Sequence, residues 1–256
     1  MVVADLHVHT TNSDGSLTLE TLPAVAEAVD VSAVAITDHD RLHPDLSTPV
    51  ATVGGVTVVH GIELRVDAGE FRVDLLGYGA RRTPALEALI ERLQADRIER
   101  GQEIIAEVED HLGVELPVEP RPGLGRPHIA EAIASVSEYD YAGAFEALIG
   151  DGGPCYVPRA IPAFSEGLDV LESACGLVSL AHPYRYDDPE EALKLCVDLD
   201  AVERFYPYDR EIDPRPIERA MARYDLVATG GSDAHGETLG AAGLDADAYR
   251  RFRGAL

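Results

Sequence analysis

The chain has 256 residues, of which 46% are apolar, and its 46 acidic against 21 basic side chains give a formal net charge of −25. This length allows one sizeable hydrophobic core, while no apolar run approaches the roughly 18 residues that cross a bilayer. Because proteins bind phosphate backbones mainly through Lys and Arg, the acidic excess argues against long duplex nucleic acid as a partner.

Short β-branched runs alternate with helical patterns along the chain, which is typical of βα units around a parallel sheet. The candidate strands are residues 2–9, 32–37, 56–62, 72–78, 177–181, 201–205 and 226–229. Seven such strands favour an α/β barrel, with an open sheet as the alternative. Between the third and fourth strands, the run Asp67-Ala68-Gly69-Glu70 predicts a hairpin that interrupts the βα order.

A long segment between the fourth and fifth candidate strands has helical spacing and no strand pattern. Thr83-Pro84 resembles an N-cap followed by a first helical residue, and apolar residues at helical intervals continue to Gly113. Residues 117–127 are rich in proline and glycine and predict a loop, followed by helices over 129–136 and 141–149.

These patterns divide the chain into two parts. Residues 81–155 are predicted to form a helical insertion that caps the sheet. Residues 1–80 and 156–256 would then form the barrel itself.

The first candidate strand ends in His7-Val8-His9, and Asp14 follows in the next turn. Side chains two apart on a strand point to the same face, so both imidazoles can reach one metal ion. Asp5 lies on that face too and could orient a ligand. Alone, such a histidine pair is as consistent with ordinary structural histidines as with a metal site.

Further potential ligands fall at the ends of other predicted elements. They are His39, Glu63, His128, His182, Asp233 and His235. The carboxyl ends of barrel strands meet at one edge, where barrel enzymes place their sites, so chance placement of this set is improbable. The remaining histidines lie in a loop, inside a strand and near a helix end, and are predicted to be structural: His43, His60 and His111.

Histidine combined with Asp and Glu, without Cys, favours Mn, Fe or Zn, and several carboxylates favour more than one ion. A polynuclear centre can lower the pKa of a bridging water and stabilise the charge on a phosphoryl group. We therefore predict phosphoester hydrolysis by a metal-activated hydroxide. No GxSxG, HExxH or P-loop motif indicates another chemistry.

Six motifs occur in a fixed order over nearly the whole chain: Asp5-Leu6-His7-Val8-His9-Thr10, Thr37-Asp38-His39, Gly61-Ile62-Glu63, Arg126-Pro127-His128, Ala181-His182-Pro183 and Ser232-Asp233-Ala234-His235. With them the chain resembles the polymerase and histidinol phosphatase (PHP) family. More narrowly, it is similar to the branch with a helical insertion, which includes nucleotide phosphoesterases and 5′-to-3′ exoribonucleases. The resemblance implies a distorted seven-stranded βα barrel with two or three divalent metal ions.

The resemblance also assigns ligands to these ions. The sets implied for the first two ions are His7, His9, Glu63 and Asp233, and Asp14, His39 and His235. A third ion would share Glu63 and use His128. Where the family commonly has a further histidine at this third position, the sequence has Asp74, a carboxylate that can also bind a metal.

Substrate-binding residues are implied in the same way. Arg97 and Arg100, three apart on the predicted long helix, resemble the family's phosphate-binding pair. The alternative for this pair is an ordinary solvated helix face. Arg126 is a further substrate-binding candidate, and His182 would assist catalysis as an acid or serve as a ligand.

The implied substrates are nucleotide mono- or bisphosphates or short 5′-phosphorylated RNA, and the acidic composition favours a small or short substrate. The alternatives are a histidinol-phosphate-type phosphatase and a non-catalytic, metal-holding PHP regulator. The chain begins without a signal-peptide pattern, so we predict a cytoplasmic protein with no membrane partner. Its acid-rich composition with a single lysine, Lys194, is typical of a salt-rich cytoplasm. Nothing in the sequence indicates an oligomeric state.

Overall fold

The computed structural model describes residues 1–256 and contains eight β-strands. They are β1 (Ala4–Val8), β2 (Ala33–Ile36), β3 (Val50–Val53), β4 (Val56–Asp67), β5 (Arg72–Tyr78), β6 (Leu177–Leu180), β7 (Ala201–Phe205) and β8 (Val227–Gly230). All seven predicted strands are present, and β3 is the strand that the sequence did not predict.

The chain also forms eight α-helices. They are α1 (Leu22–Ala28), α2 (Pro84–Leu112), α3 (Arg126–Val136), α4 (Tyr141–Ala144), α5 (Phe164–Ala174), α6 (Pro189–Lys194), α7 (Arg215–Tyr224) and α8 (Ala246–Ala255). The predicted long helix is confirmed as α2, which ends just before Gly113, a residue with φ of 68°. None of these helices combines the length and the apolar character that a membrane span requires.

The strands form one curled sheet in the order β1-β2-β4-β5-β6-β7-β8, which confirms the predicted distorted seven-stranded barrel. Along this order neighbouring strands are parallel, except that β5 is antiparallel to both β4 and β6, and β3 pairs antiparallel with β4 outside this order. After β8, a parallel bridge between Ala234 and Val8 brings the two ends of the sheet together. The carboxyl ends of β1, β2, β7 and β8 consequently meet at one edge.

The predicted hairpin is confirmed between β4 and β5, where Ala68 N–H donates to Phe71 O over 2.9 Å. Strand β4 is longer than predicted and runs through Glu63, so this carboxylate lies within a strand rather than at its end. The unpredicted β3 is a short, half-exposed strand that pairs with the start of β4. Gly54 and Gly55, both with positive φ, form the turn that joins these two strands.

Apolar packing holds the last helix against the sheet. Phe252 of α8 is fully buried and meets Tyr78 of β5 edge to face, with ring centroids 5.2 Å apart. Leu244 exchanges two backbone hydrogen bonds with Ala4 of β1, at 2.8 and 3.2 Å. These contacts fix the segment after β8 beside β1, which is where the candidate ligands of both segments lie.

Two compact units can be distinguished, one of residues Met1–Ala88 with Pro162–Leu256, here called the barrel unit, and one of residues Leu89–Ile161, the helical unit. The helical unit has an apolar core of its own. Its fully or nearly fully buried members include Ile104, Val108, Leu124, Ile129, Ile133, Leu148 and Ile149. Its treatment as an insertion with limits at residues 81 and 155 stays a prediction.

Candidate metal centre

Strand β1 carries two histidines to the carboxyl edge of the sheet. His7 lies in the strand and His9 just beyond it, and both are fully buried. On the same strand, the carboxylate of Asp5 accepts hydrogen bonds from the backbone N–H groups of Ser232 and Gly240, each at 2.8 Å. Asp5 therefore ties β1 to the loop after β8 and holds the ligands of the two segments in register.

The first group of potential ligands comprises His7, His9, Glu63 and Asp233, with donor atoms all within 4.8 Å of one another. The Nε2 of His7 lies 3.4 Å from both Glu63 Oε1 and Asp233 Oδ1. The Nε2 of His9 lies 3.3 Å from Glu63 Oε2 and 3.1 Å from Asp233 Oδ1. The four residues predicted for one ion thus converge on one point.

A second group adjoins the first and comprises His9, Asp14, His39 and His235. The Nε2 atoms of His39 and His235 lie 3.8 and 3.5 Å from the carboxylate oxygens of Asp14. The Nδ1–H of His235 donates to the Asp233 carbonyl over 3.0 Å, which directs its Nε2 toward Asp14. All three residues predicted for the second ion are therefore present together.

A third group comprises Glu63, Asp74 and His182. The Nε2 of His182 lies 3.2 Å from Glu63 Oε1 and 3.7 Å from Asp74 Oδ2. Arg65 Nη1 lies 3.4 Å from that same Asp74 oxygen and offsets its charge. The structure therefore brings His182 and Asp74 together with Glu63, and their roles as ligands of a third ion stay predictions.

His128, which the resemblance implied for the third ion, belongs to the helical unit. Its Nδ1 accepts the backbone N–H of Gly125 over 3.1 Å at the start of α3. This contact makes His128 part of the helix N-terminus, and its role as a metal ligand stays a prediction.

The donor atoms at this edge fit divalent cations. Four of them are buried without a hydrogen-bond partner: His7 Nε2, His9 Nδ1, Asp14 Oδ1 and His182 Nδ1. A buried polar atom without a partner costs about 1–3 kcal/mol, so four together need a compensating ligand. Imidazole and carboxylate donors without thiolates suit Mn, Fe or Zn.

The electrostatics keep the carboxylates ionised and ready to bind cations. Burial opposes ionisation of Glu63, but His39 and His7 outweigh it and hold the pKa of Glu63 well below its usual range. The pKa of Asp233 is lowered in the same way by His7 and His9. These carboxylates therefore carry full negative charge across the physiological range of pH.

Glu203 was not predicted from the sequence, and it holds two of the potential ligands, His7 and His182, in place. It is fully buried in β7, where its carboxylate accepts the Nδ1–H of His7 at 3.1 Å and the backbone N–H of His182 at 2.7 Å. The first contact fixes the tautomer of His7, because it leaves the Nε2 lone pair facing the ion position. A charged residue inside an apolar strand was the available signal.

Asp38 has the corresponding role for the turn that carries Asp14. It accepts hydrogen bonds from the Thr10 backbone N–H at 2.7 Å, the Ser13 hydroxyl at 2.8 Å and the Asn12 amide at 2.9 Å. Three buried acids outside the ligand groups, Asp5, Glu203 and Asp38, thus hold the segments that carry the potential ligands.

Two residues with a strained backbone lie at the same edge. His182 has φ of 27° and Asp233 has φ of 51°, values that side-chain-bearing residues rarely adopt. Such conformations cost about 1–3 kcal/mol each and persist only where the surroundings enforce them. At both positions the strained residue presents its side chain to a ligand group.

The predicted arginines all lie in the helical unit. Arg97 is buried and donates to Leu124 O, while Arg100 donates to Val157 O over 2.8 Å. Burial and the neighbouring guanidinium groups of Arg126 and Arg159 lower the pKa of Arg100 to about 10. Arg97 and Arg100 therefore do not lie on a solvated helix face. Arg159, which the sequence analysis did not predict, belongs to the same group of neighbouring arginines.

Comparisons with known proteins agree with this geometry. The model of the PHP domain matches residues 5–112. A phosphoribosyl 1,2-cyclic phosphate 1,2-diphosphodiesterase from Eggerthella lenta is 32% identical over 92% of this chain and 95% of its own length. The chain belongs to the PHP family. The predicted class, a metal-dependent phosphoesterase, is thereby confirmed.

Other PHP proteins align with the chain over similar lengths. A 5′-3′ exoribonuclease from Haemophilus influenzae is 26% identical over 90% of this chain and 89% of its own length. A crystal structure from Bifidobacterium adolescentis, described as a metal-dependent phosphoesterase, superposes with a TM-score of 0.80 at 25% identity. The superposition covers 98% of this chain and 96% of the Bifidobacterium adolescentis chain.

The support from Glu203 gives a direct prediction for this PHP centre. Glu203→Gln removes the charge that orients His7 and should weaken Mn²⁺ binding by about 10- to 100-fold without unfolding the protein. Metal titration by calorimetry measures the effect, and Glu211→Gln, on an exposed loop, is the control. Equal affinities for the two variants would contradict the role assigned to Glu203.

A second prediction concerns the close approach of the β8 loop to β1. A Cβ added at Gly231 would lie 2.3 Å from the His7 backbone nitrogen, whereas one at Gly236 would meet nothing within 4 Å. Gly231→Ala should displace His7 and lower Mn²⁺ affinity by at least about 10-fold. Gly236→Ala is the matched control in the same loop, and unchanged metal binding in Gly231→Ala would refute the argument.

Proposed function

We propose that the chain hydrolyses phosphoesters of small nucleotide-type substrates or short 5′-phosphorylated RNA, with two or three bound Mn, Fe or Zn ions. The observation that carries the proposal is the sharing of ligands between groups. His9 belongs to the first and second groups, and Glu63 belongs to the first and third. Ions held by shared ligands are close enough to act on one phosphoryl group.

The chain's own residues would perform defined parts of this reaction. Bound divalent ions supply a nucleophile by lowering the pKa of water, and they shield charge on phosphoryl oxygens. Glu63 would contribute to more than one ion, since its Oε2 lies 2.8 Å from His39 Nδ1 in the second group and its Oε1 lies 3.2 Å from His182 Nε2 in the third. Glu203 would hold His7 and the backbone of His182 rigid behind them.

Phosphate binding is supported by the arginines of the helical unit, which are Arg97, Arg100, Arg126 and Arg159. Burial is the largest cause of the lowered pKa of Arg100, and repulsion by the like charges of Arg126, Arg159 and Arg97 adds to it. An anion among them would relieve that repulsion, and a phosphate group accepts the paired hydrogen bonds that guanidinium offers. We propose this cluster as a binding site for substrate phosphate.

Substrate size follows from charge. A protein with a net charge of −25 repels a long polyanion, whereas a substrate with one to a few phosphates can be held by local ions and arginines. The similarity to the Eggerthella lenta diphosphodiesterase adds cyclic ribose phosphates to the candidate substrates. Similarity to an exoribonuclease keeps short RNA among them.

A hydrolysis panel in high salt with Mn²⁺ tests the proposal. The substrates are nucleoside monophosphates, 3′,5′-bisphosphates, a ribose 1,2-cyclic phosphate, short 5′-phosphorylated RNA and histidinol phosphate. We expect turnover of at least one nucleotide-type or ribose phosphate, and in His9→Ala a loss of kcat/KM of at least about 100-fold, because a shared ligand is removed. His111→Ala, on an exposed residue of α2, is the control.

Three results of this panel would change the assignment. Turnover of histidinol phosphate alone would favour the small-molecule phosphatase alternative. Metal binding with no turnover of any substrate would favour the non-catalytic regulator. Full activity in His9→Ala would refute the site.

A further inference from the structure

The two oxygens of Asp233 face different surroundings. Its Oδ1 points into the metal centre, 3.1 Å from His9 Nε2 and 3.4 Å from His7 Nε2. Its Oδ2 points the other way and accepts hydrogen bonds from the Tyr206 hydroxyl at 2.9 Å and from Arg185 Nη1 at 3.0 Å. Arg185 and Tyr206 therefore stand directly beside the ion position, although neither belongs to a ligand group.

Arg185 has unused hydrogen-bonding capacity. A guanidinium group has five N–H donors, and here only Nη1 is engaged, with Asp233 and with the Tyr206 hydroxyl at 3.1 Å. The Nε and Nη2 groups have no protein acceptor. The Arg185 side chain is 53% exposed, whereas that of Asp233 is 10% exposed, so the arginine lies at the solvent-accessible rim of the centre.

The local fold holds this arginine in place. Arg185 ends the short turn Pro183–Arg185, which begins immediately after the strained residue His182. Tyr206 directly follows β7 and lies edge to face with the His182 ring at 5.5 Å. The Arg185 guanidinium carbon lies 6.0 Å from the Tyr206 ring centroid, within the range of a cation–π contact. Two fixed elements thus restrain a side chain that would otherwise be mobile.

The negative charge around the centre favours a positive group beside it. The carboxylates of the three ligand groups in the barrel unit are Asp14, Glu63, Asp74 and Asp233. Together they oppose the approach of a phosphate unless positive charge balances them. Of the nearby arginines, Arg65 is directed at Asp74, while Arg185 keeps free donors.

We infer that Arg185 is a substrate-binding residue, which donates Nε–H and Nη2–H to the non-bridging oxygens of the phosphoryl group at the metal centre. Tyr206 and Asp233 orient the guanidinium group by engaging Nη1. This inference rests on the proposed function, because it concerns the same centre. It assigns the barrel unit a phosphate-binding arginine of its own, in addition to those of the helical unit.

The competing explanation is that Arg185 only positions Asp233 for metal binding. The two roles differ in what they affect. A phosphate-binding residue determines phosphate affinity and KM at full metal occupancy, whereas a positioning residue determines metal affinity. Inorganic phosphate is therefore the probe, and its dissociation constant is measured by calorimetry on Mn²⁺-saturated protein, with metal content measured in parallel.

We expect Arg185→Met to weaken phosphate binding by about 10- to 100-fold, the effect of losing a hydrogen bond to a charged group. Its Mn²⁺ content at saturation should equal that of the wild type, and for any substrate turned over KM should rise more than kcat falls. Arg185→Lys should show an intermediate loss, because Lys lacks the paired donors. Arg204→Met, which removes a neighbouring arginine paired with Glu218, is the control with wild-type affinity.

Unchanged phosphate affinity in Arg185→Met would overturn the inference. The inference would also be overturned if Arg185→Met lost bound metal and regained full phosphate binding once high Mn²⁺ restored the metal. That result would identify a positioning role. Failure of the proposed function is distinguishable from either outcome. In that case phosphate binds and depends on Arg185, but no phosphoester is hydrolysed.

Discussion

The concentration of buried carboxylates around Glu63 is the constraint on which the rest of this structure depends. Glu63 is 1% exposed, and its Oε2 contacts His39 of the second group while its Oε1 contacts His182 of the third. Removing ionised groups from water costs several kcal/mol each unless opposite charge is close by. Here the histidines supply part of that compensation, and the orphaned donor atoms indicate where divalent cations supply the rest. Stability and catalysis therefore depend on the same charges.

The barrel is organised to hold these charges in register. Parallel strands bring His7, His9 and the ligands after β2 and β8 to one edge, and the antiparallel β4–β5 hairpin places Glu63 and Asp74 on facing strands beside them. Behind this layer, buried acids bind the backbone and the imidazoles of the ligand segments, so that each ligand has little freedom to move. The strained conformations of His182 and Asp233 are the cost of aiming side chains from the ends of two strands toward a common point.

The sequence predicted those parts of the fold and site whose signals are local. Apolar β-branched runs predict the buried strands, and a polar residue at the end of such a run predicts a ligand, as for His39. Strand β3 was not predicted, because it is short and half-exposed and no run of buried residues marks it. Glu203 and Arg185 were not predicted because their partners, His7 and Asp233, lie 196 and 48 positions away in the sequence. Only the closed sheet brings these residues into contact. The third group differs from expectation for the same reason, since the fold and not the spacing brings His182 to Glu63.

We propose that this edge of the barrel holds at least two divalent ions at defined positions. Anomalous diffraction at the manganese edge, from crystals of the protein grown with Mn²⁺, locates such ions. We expect one peak among His7, His9, Glu63 and Asp233 and a second among Asp14, His39 and His235. Crystals that contain Mn²⁺ but show no peak at these positions, or ions bound only elsewhere, would contradict it.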